Sequence, residues 1–335
     1  MSSGLSNRVN TIVCPIQFIQ MQRRNFLKGA GILSASSLLA LSSLEAFSKE
    51  KLEKGVKRSL RIAHLTDIHL LDKAEPKAAV INVLKELAQH PDRPDLLINT
   101  GDSLMDMNSQ PKDRVQQLWS AWDEVMQHNV IPMKSCIGNH DVWSLAKSDP
   151  QYETARKDEL YGKTWVKKKL NLPGAYYTFK QKDWQFIALD SIHYSAEKGG
   201  YMIDPEQMLW LEQQLNEIPK ERHVLIFSHV PIISVTPLLY AAQSKPAHEL
   251  RFPGGDQHID VMAIKSLFKK AGNVKVALSG HVHYVDQVSY LGTHYYCGGA
   301  VSGNWWNGIL DDFPPAYSLL DLYEDGSSRY QTLYY

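Results

Sequence analysis

The chain has 335 residues, 44% hydrophobic and 21% charged, a globular composition long enough to bury a core without disulfides. Eight Trp, sixteen Tyr and nine Phe exclude disorder over most of it. With 36 Lys+Arg against 36 Asp+Glu there is no net charge to make a nucleic-acid duplex the default partner, and three cysteines (Cys14, Cys136, Cys297) without a C-x-x-C pair argue against a disulfide scaffold or a thiolate zinc site.

The first fifty residues read as an address. Met21-Gln22-Arg23-Arg24-Asn25-Phe26-Leu27-Lys28 is basic and leads into the Ala-, Ser- and Leu-rich stretch 29–44. Sixteen residues are short for a membrane span, which needs about 20. Charged, weakly apolar and small-residue regions in that order form a secretory signal. Arg23, Arg24, Phe26, Leu27 and Lys28 match the twin-arginine type, with cleavage expected after Ser48. The expected organisation is an upstream extension at 1–20, a twin-arginine signal peptide at 21–48 and one domain at 58–335. Its expected location is the periplasm or another exported compartment, and the export machinery is an expected partner. Cleavage removes four basic residues and one acidic residue, so the mature chain carries a net charge of −3.

From Arg58 onward, strand patterns alternate with helical ones. Leu60–Leu65 reads as a strand and Glu75–His90 as a helix, with Val80, Val83, Leu84 and Leu87 at helical spacing. Leu96–Asn99 is a strand, Lys112–Asn129 a helix and Met133–Ile137 a strand. Thr178–Ser191 suggests two strands around Lys182-Asp183. Asp204-Pro205-Glu206-Gln207 opens a helix, Asp204 as cap and Gln207 completing a capping box. Val224–Phe227 and Val274–Leu278 are buried strands, separated by a polar loop around Ser244–Gln257 and a helix at Asp260–Ala271. The tail, Val285–Tyr335, reads as antiparallel β. The alternation implies an α/β fold with a largely parallel sheet.

Five strands end in polar loops. These are Asp67-Ile68-His69, Gly101-Asp102, Gly138-Asn139-His140-Asp141, His229, and Gly280-His281-Val282-His283. Ligands bind beyond the carboxyl ends of strands in open α/β sheets, and residues two apart in extended chain project to one side. Leaving aside His140 and Asp141, the set holds two carboxylates, four imidazoles and one carboxamide, with no thiolate. Such ligands suit Zn²⁺, Mn²⁺, Fe or Co²⁺. Seven are too many for one catalytic ion and suit two that share a carboxylate.

The ordered series D-x-H, G-D, G-N-H-D, H, G-H-x-H resembles the calcineurin-like metallophosphoesterases over about residues 60–285. The resemblance implies a four-layer αββα sandwich of two mixed sheets, with a dinuclear site at the strand ends. It implies a first ion on Asp67, His69, Asp102 and His283, and a second on Asp102, Asn139, His229 and His281. His140 would be a catalytic non-ligand. Two such ions about 3.5–4 Å apart lower the pKa of a shared water and hold phosphate oxygens for in-line attack. Asp141 either orients His140 or caps a turn. The expected substrate is a small-molecule phosphate monoester or diester, the motifs serving both.

Purple acid phosphatases place a tyrosine ligand three residues after the bridging carboxylate; here that position is Met105. Gly298–Trp306 looks like a Gly-Trp loop of bacterial branches, including relatives of class III cyclic-nucleotide phosphodiesterases. Trp305 and Trp306 there either stack on a base or sugar or plug the sheet edge. His193 and His258 are secondary pocket candidates. His64 and His223 read as packing or surface residues, and His90, His128, His248 and His294 as solvated. Cys136 and Cys297 read as buried thiols. Two other functions stay open at this level, a catalytically silent scaffold of the same fold and a metallohydrolase of a non-phosphate ester.

Overall fold

A computed structural model describes residues 55–244 and 252–335. The expected extension at 1–20, the signal peptide at 21–48, Cys14 and His248 lie outside the described residues. β1 (Arg58–Leu65) is followed by α1 (Ala74–Gln89), β2 (Leu96–Asn99), α2 (Lys112–Met126) and β3 (Met133–Ser135). Two short helices, α3 (Tyr152–Ala155) and α4 (Thr164–Lys169), precede the hairpin β4 (Tyr177–Gln181) and β5 (Trp184–Ala188). A second hairpin, β6 (His193–Ser195) and β7 (Gly200–Met202), leads to α5 (Pro205–Glu217) and β8 (His223–Phe227). Then come α6 (Thr236–Ser244), α7 (Val261–Ala271), β9 (Val274–Ser279), β10 (Asp286–Tyr290), β11 (Thr293–Cys297), β12 (Ala316–Tyr323) and β13 (Ser328–Tyr334).

The strands build two large mixed sheets, ordered β13-β12-β1-β2-β3 and β10-β11-β9-β8-β5-β4, beside the small β6-β7 ribbon. Side-chain alternation along each strand sorts residues between two faces. Leu60, Ile62, Leu96 and Ile98 of the first sheet meet Phe186, Leu225, Phe227, Val276 and Leu278 of the second in a shared apolar layer. Residues one position away, Ala63, Leu65 and Leu97, face α1 and α2 instead. Ile187, Val224, Ile226 and Ala277 likewise face α5 and α7. The result is the expected α/β/β/α sandwich. β1, β2 and β3 are mutually parallel, as are β5, β8 and β9. Parallel neighbours end at the same edge, and that edge carries all five polar loops.

His64 alternates into the apolar layer between the sheets. It is fully enclosed, and its two ring nitrogens meet the Tyr330 hydroxyl at 2.7 Å and Thr100 Oγ1 at 2.9 Å. Burial pushes its pKa down to about 3, so it stays neutral and acts as a polar strut.

Several expectations are corrected. Asp204 does cap α5, accepting from the Gln207 backbone amide, but the Gln207 side chain completes no capping box. It reaches across to Asp190, accepting from its N–H at 2.8 Å and donating to its C=O at 2.9 Å. Buried backbone groups past β5 need partners more than the helix end does. The third strand stops at Ser135, two residues short of Ile137, because the chain enters a helical turn at Asn139–Asp141. The tail is not one antiparallel unit. β10 pairs antiparallel with β11, but β11 runs parallel to β9, and β12 crosses to the first sheet beside β1. Helix α6 has no counterpart in the sequence reading; its Leu238 and Leu239 are exposed, so no apolar stripe announces it.

Phe186 is fully buried between the sheets, with its ring stacked on Phe179 at 4.7 Å. Phe186→Ala is expected to cost about 3–5 kcal/mol of stability in urea unfolding, and Phe186→Leu distinctly less.

Candidate metal centre

Backbone hydrogen bonds continue past the strand ends and stitch the loops together. Asp67 N donates to Gly101 O at 3.1 Å, His69 N to Asp102 O at 2.9 Å, and Gly280 N to His229 O at 3.0 Å. Five of the seven expected ligands lie in the left-handed region: Asp67 (φ 50°), His69 (44°), Asp102 (53°), His281 (76°) and His283 (62°). Such a conformation costs roughly 1–3 kcal/mol per residue and persists only where the surroundings over-determine it. Gly280 is required by closeness, because a Cβ there would overlap Thr66 Oγ1 and Asp67 Oδ2.

All seven side chains converge, five of them buried and Asn139 and His281 half-buried. Asp67, His69 and His283 form one cluster, and Asp102, His229 and His281 a second, each with ligand atoms within 4.8 Å of one another. Asn139 Oδ1 lies 2.9 Å from His229 Nε2. Each carboxylate is held by a backbone amide at one oxygen and turns the other toward the imidazoles. Asp67 Oδ2 accepts from the His281 amide and the Thr66 hydroxyl at 2.9 and 2.7 Å. Its buried Oδ1 has no hydrogen-bond partner and lies 3.5 Å from His283 Nε2. Asp102 Oδ1 accepts from the His140 amide at 2.8 Å. Its Oδ2 lies 3.2 Å from His229 Nε2 and 3.6 Å from His69 Nε2, between the two clusters.

The far nitrogen of every imidazole meets a backbone carbonyl. His69 Nδ1 faces Met105 O at 3.3 Å, His229 Nδ1 faces Thr100 O at 2.9 Å, His281 Nε2 faces Gly255 O at 2.6 Å, and His283 Nδ1 faces Gly303 O at 2.7 Å. A carbonyl only accepts, so each of these nitrogens carries a hydrogen, and in the neutral ring the other turns its lone pair inward. The inward nitrogens then oppose one another, His69 Nε2 to His283 Nε2 at 3.0 Å and His229 Nε2 to His281 Nδ1 at 3.1 Å. Facing lone pairs and an orphaned carboxylate oxygen are stable together only around positive charge. The residues fit a pair of metal ions.

The electrostatics agree. Burial pushes His69 and His281 down to about 4 and so keeps them as neutral ligands. Burial would raise Asp67 and Asp102, but the surrounding imidazoles hold both below the usual carboxylate range. At His229 burial favours the neutral ring, yet Asp102 beside it wins and holds it up to about 9, so its Nε2 carries a second hydrogen that a bound cation would displace. The same field attracts divalent cations.

His140 is half-buried at the edge of the cluster, its ring 4.8 Å from that of His69. Asp141 does not orient it. The Asp141 carboxylate accepts from the amides of Ser103, Leu104 and Gly138 at 2.8, 3.2 and 3.0 Å, tying two loops together. Asp106 is the acid beside His140, 3.6 Å from Nδ1, an ion-pair distance rather than a hydrogen bond. Burial lowers the His140 pKa, but Asp106 and Asp102 outweigh it and push it up to about 9. Asp106 sits four residues past Asp102 in the same loop, the one signal that sequence reading had for it.

Of the remaining histidines, His193 is exposed, and His258 is buried on Asp260 at 2.9 Å, outside the cluster. His223 rests on the Glu324 carbonyl at 3.0 Å, while His90 and His294 are half-buried rather than solvated. Cys136 and Cys297 are buried free thiols. Trp306 is half-buried against the core and donates to the His69 carbonyl at 2.8 Å, whereas Trp305 lies on the imidazoles of His69 and His283.

The model of the family described as calcineurin-like phosphoesterase matches residues 60–285, the span that holds all seven converging side chains. The chain belongs to that family. A calcineurin-like phosphoesterase is a metal-dependent hydrolase of phosphoester bonds, and its centre is dinuclear. The chain is 23% identical over 240 residues to a probable glycerophosphodiester phosphodiesterase, GpdQ, of Arcobacter nitrofigilis, covering 67% of this chain and 72% of that one. Its fold is similar to a dimetal phosphatase from Danio rerio, with TM-score 0.52, 14% identity, 83% of this chain and 100% of that one. It is also similar to a purple acid phosphatase from yellow lupin (Lupinus luteus) seeds, with TM-score 0.51, 13% identity, 81% of this chain and 51% of that one. In this phosphoesterase Met105 contributes its carbonyl to His69 rather than a side-chain ligand.

Proposed function

We propose that this phosphoesterase hydrolyses small phosphodiesters in an exported compartment. The observation that carries the reading is the inward-facing lone-pair shell, with Asp102 Oδ2 between its two halves. Asp67, His69, Asp102 and His283 would hold one ion, and Asp102, Asn139, His229 and His281 the other. Two bound divalent ions lower the pKa of an attacking water and neutralise the phosphoryl oxygens.

The chain's own residues do the rest. The Met105, Thr100, Gly255 and Gly303 carbonyls fix the ligating nitrogens, so no side chain must reorganise as charge develops. His140 gives its ring proton to the leaving alkoxide, with Asp106 positioning the ring. The probable glycerophosphodiester phosphodiesterase among the relatives supports a diester substrate. The Arg23-Arg24-Asn25-Phe26-Leu27-Lys28 segment supports export by the twin-arginine route.

Elemental analysis tests the shared carboxylate. Asp102→Ala is expected to deplete both ions and His229→Ala mainly one; a full pair in Asp102→Ala would remove the bridge.

The His140 role is read from two diesters. General acid catalysis contributes about 10²–10⁴-fold where the leaving group is a basic alkoxide, and little for nitrophenolate. His140→Ala is expected to keep both metals, to lose a factor in that range in kcat/KM on glycerophosphodiesters, and to lose far less on nitrophenyl diesters. Equal losses would assign His140 to stabilising the phosphoryl oxygens instead.

Replacing Arg23 and Arg24 with Lys is expected to leave active precursor inside the cell. Normal amounts of mature protein beyond the membrane, measured by fractionation, would point to the general secretory route.

A further inference from the structure

The chain between β11 and β12 passes over the metal centre and lies beyond the span that the family match covers. It grips the first cluster at several points. Val301 N donates to Thr66 O at 3.0 Å, and Ser302 Oγ to Asp67 O at 2.8 Å. Gly303 O takes the His283 ring hydrogen, and Trp306 Nε1 donates to His69 O at 2.8 Å. Trp305 is held between these contacts, and both tryptophans lie in the left-handed region, at φ 46° and 66°.

The Trp305 indole rests on His283 with ring centroids 4.3 Å apart and planes 36° from parallel, and it reaches His69 at 5.9 Å. It remains 37% exposed, so the imidazoles cover one side and the other is open. His140 approaches the same His69 ring at 4.8 Å. Trp305 and His140 thus share the His69 ring as a neighbour. Across the centre, Tyr201 stands edge-on to His281 at 5.7 Å, backed by Tyr194 at 5.3 Å. Among the described residues, the ion pairs of Asp67 and Asp102 are with imidazoles. Among the described residues, Trp305 and Tyr201 place aromatic rings against the imidazoles of both clusters.

Resting on the phosphodiester reading above, we infer that the exposed surface of Trp305 is a stacking platform for a planar ring carried on the ester group that stays with the phosphate. An aromatic ring lies flat on an indole face with no polar group to match, and this selects rings without selecting a base sequence. Glycerol or another open-chain alcohol gains nothing there. Trp305 is thus a specificity-determining residue, set by a loop outside the metal motifs.

The test measures binding of product phosphates to the metal-loaded full chain by calorimetry. Adenosine 5′-monophosphate, phenyl phosphate and glycerol 3-phosphate are the probes, and metal content is determined for each variant. Wild type is expected to bind the adenosine ester roughly tenfold more tightly than the glycerol ester, the order of one base–aromatic stack. Trp305→Phe should keep most of that ratio. Trp305→Leu, which still covers His283 but has no π face, should keep both metals and bring the ratio close to one. A ratio near one in wild type, or the wild-type ratio persisting in Trp305→Leu, would overturn the platform. Phenyl phosphate matching the adenosine ester supports any planar ring, and matching the glycerol ester supports a nucleobase. Diester hydrolysis with no ring preference sinks the platform alone; ring preference without hydrolysis of any diester sinks the phosphodiester reading and leaves the platform standing.

Discussion

The structure depends on two buried carboxylates that are each held by a backbone amide at one oxygen and turned at the other toward imidazoles. Asp67 gives Oδ2 to the His281 amide and the Thr66 hydroxyl, and Asp102 gives Oδ1 to the His140 amide. Each bond ties the loop after one strand to the loop after another. The remaining oxygens point at imidazoles whose far nitrogens donate outward to carbonyls. An unpaired charge in the interior is among the most costly features a fold can carry. Here the cost is offset when cations bind, so the same geometry that strains the folded chain gives it affinity for metal.

Holding that geometry needs a stiff frame. Left-handed backbone at Asp67, His69, Asp102, His281 and His283 is unfavourable locally and is maintained by the parallel strands behind it. Leu60, Ile62, Leu225 and Phe227 anchor those strands in the layer between the sheets, while α1, α2, α5 and α7 close the outer faces. The apolar core and the polar edge are therefore one mechanical system. Asp141 belongs to it as a brace, since its carboxylate joins the loops that present Asp102 and Asn139.

The C-terminal part of the chain finishes the centre without supplying a ligand. β10 and β11 extend the second sheet, β12 and β13 extend the first, and the crossing between them lays Ser302, Gly303 and Trp306 against His283, His69 and Asp67. Shared ligands describe the chemistry common to calcineurin-like phosphoesterases. The crossing segment shapes the approach to it in this chain.

The sequence by itself determined the α/β alternation, and its ordered motifs, through the family they resemble, the layered sandwich and the seven side chains that converge at the strand ends. Those residues follow strands whose apolar runs stand out, and D-x-H and H-x-H spacing keeps ligand pairs within a few bonds of each other. Only the tertiary structure decided which acid stands beside His140. Asp141 is adjacent in sequence but turns inward to three amides, whereas Asp106 arrives from a different loop. It also decided that Gln207 braces Asp190, and that the last strands divide between two sheets, because a strand's partner is set by long-range pairing and not by its own pattern. The Thr100, Met105, Gly255 and Gly303 carbonyls that orient the imidazoles were invisible for a simpler reason. Every residue carries a backbone carbonyl, so its role is conferred by where the fold places it.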